Sequence, residues 1–330
     1  MIKSSLNFLH KYLLINRNKK IFFSIFKGYK ILKKIHIMSK KIPIVLLTKD
    51  EPRCLYLTVK AIFNRTNYPF SLYIVDNKST SVEQASMLIR VAREFDVQII
   101  FNENNEWLLG FNKAVNIIKD NQLLDANYIV LSDGDIIVPL QKQSVCWLEY
   151  LKYKMDNNIS IGKIGLALDS SLIKVHSKFS NTYDIEKRYM KGPKIDDLIV
   201  APVDTTMAIY RKDLYILKNF KIVPGHASLV KPCYYVFRTS ETYQAKHLGW
   251  STYSKPTNQQ VEEKVSVFTK YAAYVDPMVL GQVSRKNKYF YIYFRYFYKV
   301  FWGVQVSYFW VKYIIIHFPR NLNEIQSKYR

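Results

Sequence analysis

The sequence is poor in the residues that hold small secreted folds together. It has three cysteines in 330 residues, Cys54, Cys146 and Cys233. They are too few and too far apart for a disulfide framework or a zinc knuckle, so we expect reduced thiols in the core of a cytosolic protein. Internal repeats and low-complexity linkers are also lacking. With 49% apolar residues, the chain can form one large domain or two small ones with a sizeable core.

Acidic residues are almost missing from both ends of the chain. Residues 1–41 carry eleven Lys or Arg and no acid, and residues 285–330 carry nine basic residues and one acid, Glu324. The net charge is +23, of which residues 42–284 hold only +4. A nucleic-acid enzyme would concentrate its positive charge around its site, so this class is disfavoured. Both basic ends are rich in aliphatic and aromatic residues, which fits an anionic membrane surface better.

The two ends also lack a clear targeting or spanning segment. The apolar runs before residue 38 are short, broken by lysines and without the cleavage site of a secretory signal. We expect a basic amphipathic helix at 5–37, or else a true start at Met38. Residues 300–319 carry one charge, Lys312, and are about long enough to span a membrane. Aromatic residues throughout favour an interfacial helix, with packing against the central region as the alternative.

Short β-rich runs alternate with helical patterns from residue 42 to about residue 140. This order is typical of an α/β fold, a mostly parallel, Rossmann-like sheet flanked by helices. The predicted strands are 42–48, 71–77, 97–103 and 127–131, and the predicted helices are 54–65, 82–95 and 110–120. Later in the chain we expect helices at 145–155 and 259–272, strands at 161–168 and 200–213, and irregular structure at 175–200.

Polar residues follow each of the four early strands, at the edge where parallel sheets bind ligands. The most unusual are Asp133 and Asp135, in the segment YIVLSDGDIIVP. At an extended strand end, residues i and i+2 point to the same side, so both carboxylates could bind one hard cation such as Mn²⁺ or Mg²⁺. The alternative is a plain surface turn, because Asp-Gly is a common turn dipeptide.

Two further features of this edge have both a binding and a structural interpretation. The Asp76 carboxylate could accept hydrogen bonds from a base or a ribose, or it could simply cap the following turn. The glycine of the segment Gly110-Phe-Asn112-Lys113-Ala114 could let a helix approach the sheet and a ligand closely, or it could merely begin that helix.

Taken in order, these features resemble the nucleotide-sugar half of family 2 glycosyltransferases, which have the GT-A fold. The matching elements are T-x-x-x-P at Thr48 and Pro52, V-D-N-x-S-T at 75–80, G-x-x-x-A-x-N at Gly110, Ala114 and Asn116, and D-x-D at Asp133 and Asp135. The resemblance covers residues 42 to about 140. It implies that acids at the first two strand ends hold the nucleoside and that the D-x-D pair holds a divalent cation on the diphosphate.

We therefore expect a donor-binding subdomain at 42–140 and an acceptor-binding subdomain at 141–284, between the basic amphipathic segments 1–41 and 285–330. The expected donor-binding residues in the first subdomain are Thr48, Asp50, Glu51, Asp76, Asn77, Gly110, Asn112, Lys113 and Asp133.

Two segments of the second half, 202–211 and 245–250, resemble bacterial members that build surface polysaccharide. Where those relatives have E-A-R-H-L-P-W, this chain reads Gln244-Ala-Lys246-His247-Leu-Gly249-Trp250. His247 is the candidate third metal or diphosphate contact, and Lys246 could neutralise the diphosphate. The missing Glu and Pro leave open that His247 is an ordinary structural histidine and Lys246 an exposed lysine.

Inverting transfer needs a general base that takes the proton of the acceptor hydroxyl. Asp204 is our first choice because it is an acid within an apolar, strand-like run, and Glu241 and Asp169 are the alternatives. Asp204 could instead anchor the neighbouring threonine hydroxyls.

The resulting hypothesis is a metal-dependent glycosyltransferase of bacterial surface polysaccharide synthesis, cytoplasmic and bound to the inner membrane surface. Its partners would be a nucleotide-sugar and a glycan or lipid-linked acceptor, without nucleic acid. A sugar-nucleotide nucleotidyltransferase is the main rival, but that class has a glycine-rich loop after the first strand and TKDEPR has no glycine. Two more hypotheses are a basic membrane-binding protein without activity and a family member that has lost its activity.

Overall fold

The computed structural model describes residues 40–328, apart from 120, 122–123, 126, 142–144, 159–160, 175–179, 204–205, 213–234 and 253–256. The expected helix at 5–37 and Met38 lie outside the described residues, as do Asp204 and Cys233. Cys54 and Cys146 are buried free thiols, as expected.

The described residues form a nine-stranded sheet and a three-stranded sheet, with helices between the strands. The strands are β1 (Ile42–Thr48), β2 (Phe70–Asp76), β3 (Val97–Phe101), β4 (Tyr128–Asp133), β5 (Ile136–Ile137), β6 (Ile161–Gly165), β7 (Ala167–Leu168), β8 (Lys194–Ile195), β9 (Leu198–Val200), β10 (Ala208–Arg211), β11 (Tyr235–Thr239) and β12 (Gln244–His247). The helices are α1 (Pro52–Arg65), α2 (Val82–Glu94), α3 (Phe111–Ile118), α4 (Trp147–Asn157), α5 (Ser171–Lys174), α6 (Ser180–Tyr189), α7 (Gly249–Thr252), α8 (Asn258–Lys270), α9 (Pro277–Leu280) and α10 (Arg285–Lys328). Two 3₁₀ turns lie at Trp107–Gly110 and Glu241–Tyr243.

The large sheet has the strand order β3-β2-β1-β4-β10-β6-β11-β9-β8. Its first four strands run parallel, which confirms the expected α/β architecture. The sheet continues beyond β4 through the antiparallel strand β10, which also pairs antiparallel with β6. Hydrogen bonding is therefore continuous across the expected subdomain boundary at residue 140.

The parallel strands are covered on both faces, because alternate residues of β1 belong to different cores. Ile44 and Leu46 pack with the apolar sides of α1 and α2, whereas Val45 and Leu47 pack with α3. Residues that favour the start of a helix lie at the beginning of α1 and α2, close to where the sequence predicts these helices. Pro52 occupies the first turn of α1, and the Ser81 hydroxyl accepts a hydrogen bond from the Gln84 backbone N–H at 3.1 Å to cap α2.

The three-stranded sheet has the order β5-β12-β7. Strand β12 pairs antiparallel with β5, which follows β4 after a single turn, and parallel with β7. This small sheet therefore places the second half of the chain directly beside the carboxyl end of β4.

Residues 175–200 are not irregular throughout, so that prediction was wrong. They include helix α6 and the hairpin of β8 and β9. The α6 sequence SNTYDIEKRY has few apolar residues, and a buried ion pair between Glu186 and Arg238 of β11 joins the helix to the sheet. Arg238 also stacks on the Tyr189 ring at 4.6 Å from its centroid. An ion pair between distant segments leaves no periodic signal in the sequence, which is why the helix was missed.

Helix α10 is 44 residues long and includes the predicted C-terminal helix. Its first part packs on α8 through the buried Tyr291, whose hydroxyl accepts a hydrogen bond from the Val275 N–H at 3.0 Å. The Trp302 indole N–H donates to the Lys270 carbonyl at the end of α8, at 2.8 Å. Among the described residues, no helix combines the length and the apolarity that a membrane crossing requires.

Candidate active site

The polar ends of β1, β2 and β4 lie at one edge of the parallel sheet. Thr48 is aligned with Asp76, and Leu47 is aligned with Asp133. The next residue of each segment extends the ladder, because Asn77 N–H donates to the Thr48 carbonyl at 2.9 Å and the N–H after Asp133 donates to the Leu47 carbonyl at 2.8 Å. The carboxyl edge therefore gathers the acids that the sequence analysis selected.

Asp133 and Asp135 do not lie on one extended strand, so that part of our expectation needs correction. Strand β4 ends at Asp133, and Gly134 and Asp135 form a turn before β5. Gly134 packs so closely on the end of β1 that a Cβ there would lie 3.1 Å from Thr48 Cβ and 3.2 Å from the Leu47 carbonyl oxygen. The turn leaves Asp133 partly exposed and turns Asp135 inward, where it is 1% exposed.

Asp135 lies against His247, as a result of the pairing between β5 and β12. His247 is aligned with Ile136, and the Leu248 N–H donates to the Asp135 carbonyl at 2.8 Å. These contacts bring His247 Nδ1 to 3.2 Å from Asp135 Oδ2. The imidazole is stacked on the Trp250 ring, with centroids 4.9 Å apart and planes 7° apart. The ring orientation is therefore fixed from two sides.

Burial raises the pKa of the Asp135 carboxyl from 3.8 to about 6, and the backbone N–H groups of Asp135 itself and of Gly249 partly offset this effect. Both oxygens of Asp135 are buried, and no side chain in the described part of the chain donates a hydrogen bond to them in normal geometry. A buried carboxylate without such donors is costly unless a cation neutralises it. The pair of Asp135 and His247 therefore has the chemistry of a partial site for a divalent cation.

The predicted three-ligand set of Asp133, Asp135 and His247 is not assembled as such. Within the described ranges, no three His, Cys, Asp or Glu side chains converge closely enough to hold a metal ion. Mg²⁺ and Mn²⁺ commonly take only one or two protein ligands and complete their shell with water and phosphate oxygens. The geometry thus offers Asp135 and His247 as the protein ligands, with Asp133 at the rim.

The structure confirms the turn-closing interpretation of Asp76 and leaves one of its carboxylate oxygens available for a ligand. Its Oδ2 accepts a hydrogen bond from the Ser79 N–H at 3.0 Å, which closes the predicted turn. Its Oδ1 is buried and has no hydrogen-bond partner in the described part of the chain. Because a buried acceptor without a donor is unfavourable, this oxygen is suited to a hydroxyl or N–H group of a ligand.

Asn77 is committed to the protein itself. Its amide nitrogen donates to Asn105 Oδ1 at 3.0 Å, and its oxygen accepts from Asn102 Nδ2 and from the Glu106 N–H, each at 3.1 Å. The side chain therefore holds the loop between β3 and α3 against the end of β2. The same loop receives Lys113, whose ammonium donates to the Phe101 carbonyl.

Asp50 is likewise used within the protein. Its Oδ1 accepts hydrogen bonds from the backbone N–H groups of Thr80 and Ser81 at 2.8 and 2.9 Å, at the start of α2. Burial opposes its ionisation, but these N–H groups and the Lys49 ammonium hold the pKa of Asp50 below its ordinary value. Glu51 follows it and gives its backbone N–H to Gln84 Oε1 at 3.1 Å. The acids after β1 therefore fix the loops around the edge.

Gly110 is required for close approach. A Cβ on this residue would lie 2.7 Å from Asn102 Nδ2, 2.9 Å from Asn77 Oδ1 and 2.9 Å from Leu47 Cδ1. The glycine therefore lets α3 begin directly against the carboxyl edge, as its sequence position suggested. Asn112 is partly exposed in the first turn of α3.

The remaining predicted residues of the second half are dispersed. Lys246 is exposed on β12, and its positive charge is near the Asp169 carboxylate. The Asp169 backbone N–H donates to the Ala245 carbonyl at 2.8 Å. Burial opposes ionisation of Asp169, but hydrogen bonds from Ser171 and the charge of Lys246 lower its pKa. Glu241 is exposed on the 3₁₀ turn before β12. Asp204, our first choice of base, lies outside the described residues.

Helix α8 also contributes to this edge, which no sequence pattern predicted. Glu263 accepts a hydrogen bond from Asn105 Nδ2 at 2.9 Å and forms an ion pair with Lys49 Nζ at 3.3 Å. Although burial works against the charged form, Asp50 and Glu263 raise the pKa of Lys49. The Trp107 ring packs against α8 as well, at 5.2 Å from Phe268 between centroids. A contact across about half the chain leaves no local motif that could have revealed it.

Comparisons with solved structures give matches of low identity. A mannosyltransferase from Pyrobaculum calidifontis, solved with GDP-Man and Mn²⁺, is 12% identical with a TM-score of 0.43, over 84% of this chain and 74% of that one. GalNAc-T7 with UDP, GalNAc and Mn²⁺ is 12% identical with a TM-score of 0.44, over 69% of this chain and 48% of that one. TarS from S. aureus is 11% identical with a TM-score of 0.40, over 77% of this chain and 52% of that one. The chain thus spans about half the length of the latter two proteins. No curated protein matches the sequence.

The profile described as Glycosyl transferase family 2 matches residues 44–216, just over half of the chain, from β1 to beyond β10. This range contains the parallel sheet, Asp76 and the segment from Asp133 to Asp135. The chain belongs to glycosyl transferase family 2, with its GT-A fold, and is a glycosyltransferase.

Proposed function

We propose that the protein transfers a sugar from a nucleotide-diphosphate sugar to a hydroxyl group of a glycan or lipid-linked acceptor, with the help of a divalent cation. The observation that carries this proposal is the buried contact between Asp135 and His247 at the carboxyl edge of the sheet. It lies in a member of a glycosyltransferase family, and the buried Asp76 Oδ1 is at the same edge. Cation, diphosphate and nucleoside would then occupy neighbouring positions.

The residues at this edge fit Mn²⁺ or Mg²⁺. Asp135 supplies two buried carboxylate oxygens, and His247 presents Nδ1 from a ring fixed by Trp250. Carboxylate oxygen and imidazole nitrogen together suit Mn²⁺, whereas Mg²⁺ prefers oxygen ligands alone. When bound, the cation would neutralise the negative charge of the diphosphate leaving group. Asp133, at the partly exposed rim, would contact the donor or water of the cation shell.

The nucleoside half of the donor would lie over the ends of β1 and β2. Asp76 Oδ1 is the acceptor available there, and we assign it to a ribose hydroxyl or a base N–H. Thr48, Gly110 and Asn112 border this position. Asp50, Glu51, Asn77 and Lys113 act indirectly, since their hydrogen bonds hold the surrounding loops.

Transfer would invert the anomeric carbon, with one carboxylate as the general base. Asp204 remains our first assignment. Asp169 is the alternative within the described residues, because it follows β7 in the three-stranded sheet that also contains His247. It is ionised at neutral pH, as a base must be, although its lowered pKa makes it a weaker base than a carboxylate whose pKa is raised. Glu241 lies on an exposed turn, which makes it the weakest of the three candidates. Lys246 would contribute positive charge near the diphosphate.

The acceptor class follows from the basic, aromatic ends of the chain and from the likeness of residues 244–250 to bacterial enzymes of surface polysaccharide synthesis. We propose that the protein works in the cytoplasm at the inner membrane surface, where lipid-linked glycans are extended. Anionic lipids attract basic segments of this kind.

The experiment that tests the proposal is a panel of nucleotide-sugars, each incubated with the full-length protein and Mn²⁺. Release of the nucleoside diphosphate and the shift in melting temperature are measured for every donor. One donor should stabilise the protein and be slowly hydrolysed only when the cation is present. Absence of both effects for all common donors, with a folded protein, would refute the proposal. The Asp135→Ala variant serves as the control for release that does not depend on the site.

A further inference from the structure

Helix α10 has an exposed apolar strip on the side that faces away from α8. Its described side chains are 55–70% exposed and follow one another at intervals of three, four and seven residues, which places them on one helix face. They are Tyr289, Tyr293, Phe297, Val300, Val304 and Val311, and we call them the outer strip. The rings of Tyr289 and Tyr293 stack on each other, with centroids 6.2 Å apart.

The opposite face of α10 already has its partner. Tyr291 and Trp302 contact α8 and the segment that follows it. Arg295 Nε donates to the Ala272 carbonyl of that segment at 3.4 Å. Glu262 of α8 binds the Ser284 hydroxyl at 3.1 Å, next to the first turn of α10. The helix is thus held on one side, and the outer strip is the side that remains exposed. Strips of this size mark a surface for a membrane or another protein.

The charge around the outer strip distinguishes between these occupants. Residues 285–330 carry a net charge of +8, and their single acid, Glu324, lies beyond the strip. Two copies of the chain docked through this strip would bring two such positive segments together, which opposes association. A bilayer with anionic lipids is attracted by the same charges. The tyrosines at the start of the strip also suit the boundary between head groups and acyl chains.

We propose that the outer strip of α10 is the surface by which this enzyme docks on an anionic lipid bilayer, with the helix lying in the plane of the head groups. Lys286 lies on the same helix face as the outer strip, whereas Lys288 and Lys299 are exposed nearer the side that faces α8. All three add to the positive charge of α10 that attracts anionic head groups. The proposal rests on the proposed function and deepens it, since it names the membrane contact of an enzyme that acts on a lipid-linked acceptor.

The bilayer contact is joined to the donor site through α8. The Trp302 ring of α10 lies 5.8 Å from Tyr271, which lies 5.5 Å from Trp107 in the loop at the carboxyl edge. Glu263 of α8 binds Asn105 in the same loop at 2.9 Å. Because these side chains pack in a continuous row, docking through the outer strip would fix the position of the carboxyl edge, with its proposed donor site, relative to the membrane.

Vesicle sedimentation of the full-length protein tests the proposal. The probes are vesicles of phosphatidylcholine alone and of phosphatidylcholine with phosphatidylglycerol, at low and at high salt. The test variant replaces three members of the strip, Tyr293→Ser, Phe297→Ser and Val300→Ser. The matched control replaces three exposed side chains elsewhere on the protein, Ile89→Ser, Leu140→Ser and Tyr153→Ser.

The unchanged protein should sediment with the anionic vesicles, and the strip variant should bind them at least about tenfold more weakly because apolar area is lost from the contact. The control variant should bind like the unchanged protein. A charge variant, Lys286→Glu, Lys288→Glu and Lys299→Glu, should lose the preference for anionic vesicles. High salt should also weaken binding of the unchanged protein to anionic vesicles, because salt screens the attraction between charges.

The proposal is overturned if the strip variant binds anionic vesicles as tightly as the unchanged protein. It is also overturned if light scattering shows that the unchanged protein and the control variant are dimers while the strip variant is a monomer. The strip would then be an interface between two copies of the chain. Nucleotide binding, measured by calorimetry on the same samples, separates the two proposals. Vesicle binding without donor binding would contradict the proposed function and leave the docking surface intact.

Discussion

The imidazole of His247 lies 3.2 Å from the carboxylate of Asp135, the most deeply buried acid at the carboxyl edge of the sheet. The contact depends on the pairing of β5 with β12, which joins the two halves of the sequence. It therefore links the carboxyl edge of the sheet, which lies within the range matched by the family profile, with the segment around Trp250. We therefore expect binding of the proposed divalent cation to depend on this pair.

Asp135→Asn and His247→Ala should each weaken Mn²⁺-dependent binding of UDP or GDP by about 100-fold, or about 2.7 kcal/mol, because each removes a proposed ligand of the cation. Isothermal titration calorimetry with and without Mn²⁺ measures this effect. Glu83→Gln, which removes an exposed acid on α2, is the matched control and should bind normally. Unchanged cation-dependent affinity in both test variants would rule out the assignment of the cation site.

Gly110→Ala should destabilise the protein by about 1–3 kcal/mol, since the new Cβ would overlap Asn102, Asn77 and Leu47. Chemical denaturation measures the loss. Gly303→Ala is a suitable control, because it lies within α10 and a Cβ there would meet no described atom within 4 Å. This control should be neutral or stabilising by up to about 1 kcal/mol, as alanine favours helices. Equal effects of the two substitutions would contradict the close approach that we describe.

Asp50→Asn should remove a stabilisation that depends on pH. The folded pKa of Asp50 lies below the ordinary value of 3.8, so its contribution is present above that value and is lost as the pH falls through the folded pKa. At neutral pH, we expect the free energy of unfolding of Asp50→Asn to be about 1 kcal/mol lower than that of the unchanged protein. This difference should become smaller in acid. Unfolding free energies across the acid range measure it. Asp96→Asn, at an exposed position, should follow the unchanged protein, and a constant difference for Asp50→Asn would contradict this account.

Trp107→Ala should loosen the loop at the carboxyl edge from α8, because it removes the ring contacts with Phe268 and Tyr271. We expect a loss of about 2–3 kcal/mol and faster hydrogen exchange in residues 102–110 and in α8. The control is Phe101→Ala, because the Phe101 side chain is 58% exposed. It should change neither the stability of the protein nor the hydrogen exchange of these residues. Normal protection of α8 in the Trp107 variant would show that the ring does not join these elements.

The sequence predicted the first half of the fold well because buried parallel strands are continuous apolar runs, as in Ile42–Thr48 and Tyr128–Asp133. It also predicted that Gly110 allows close approach and that Asp76 closes a turn. The turn after Asp133 was only the alternative interpretation, since Asp-Gly fits a turn and a strand end equally well, and the burial of Asp135 was not predicted. The roles of Glu263 and Trp107 arise from packing between distant segments, and no local pattern encodes such contacts.

The most direct test of the central claim is pulsed electron spin resonance of Mn²⁺ bound to the protein with UDP or GDP. Coordination by His247 predicts a nitrogen coupling in the unchanged protein. In His247→Ala the spectrum of the Mn²⁺ that still binds should lack this coupling. A bound Mn²⁺ and nucleotide without any nitrogen coupling in the unchanged protein would contradict the claim that Asp135 and His247 together hold the catalytic cation.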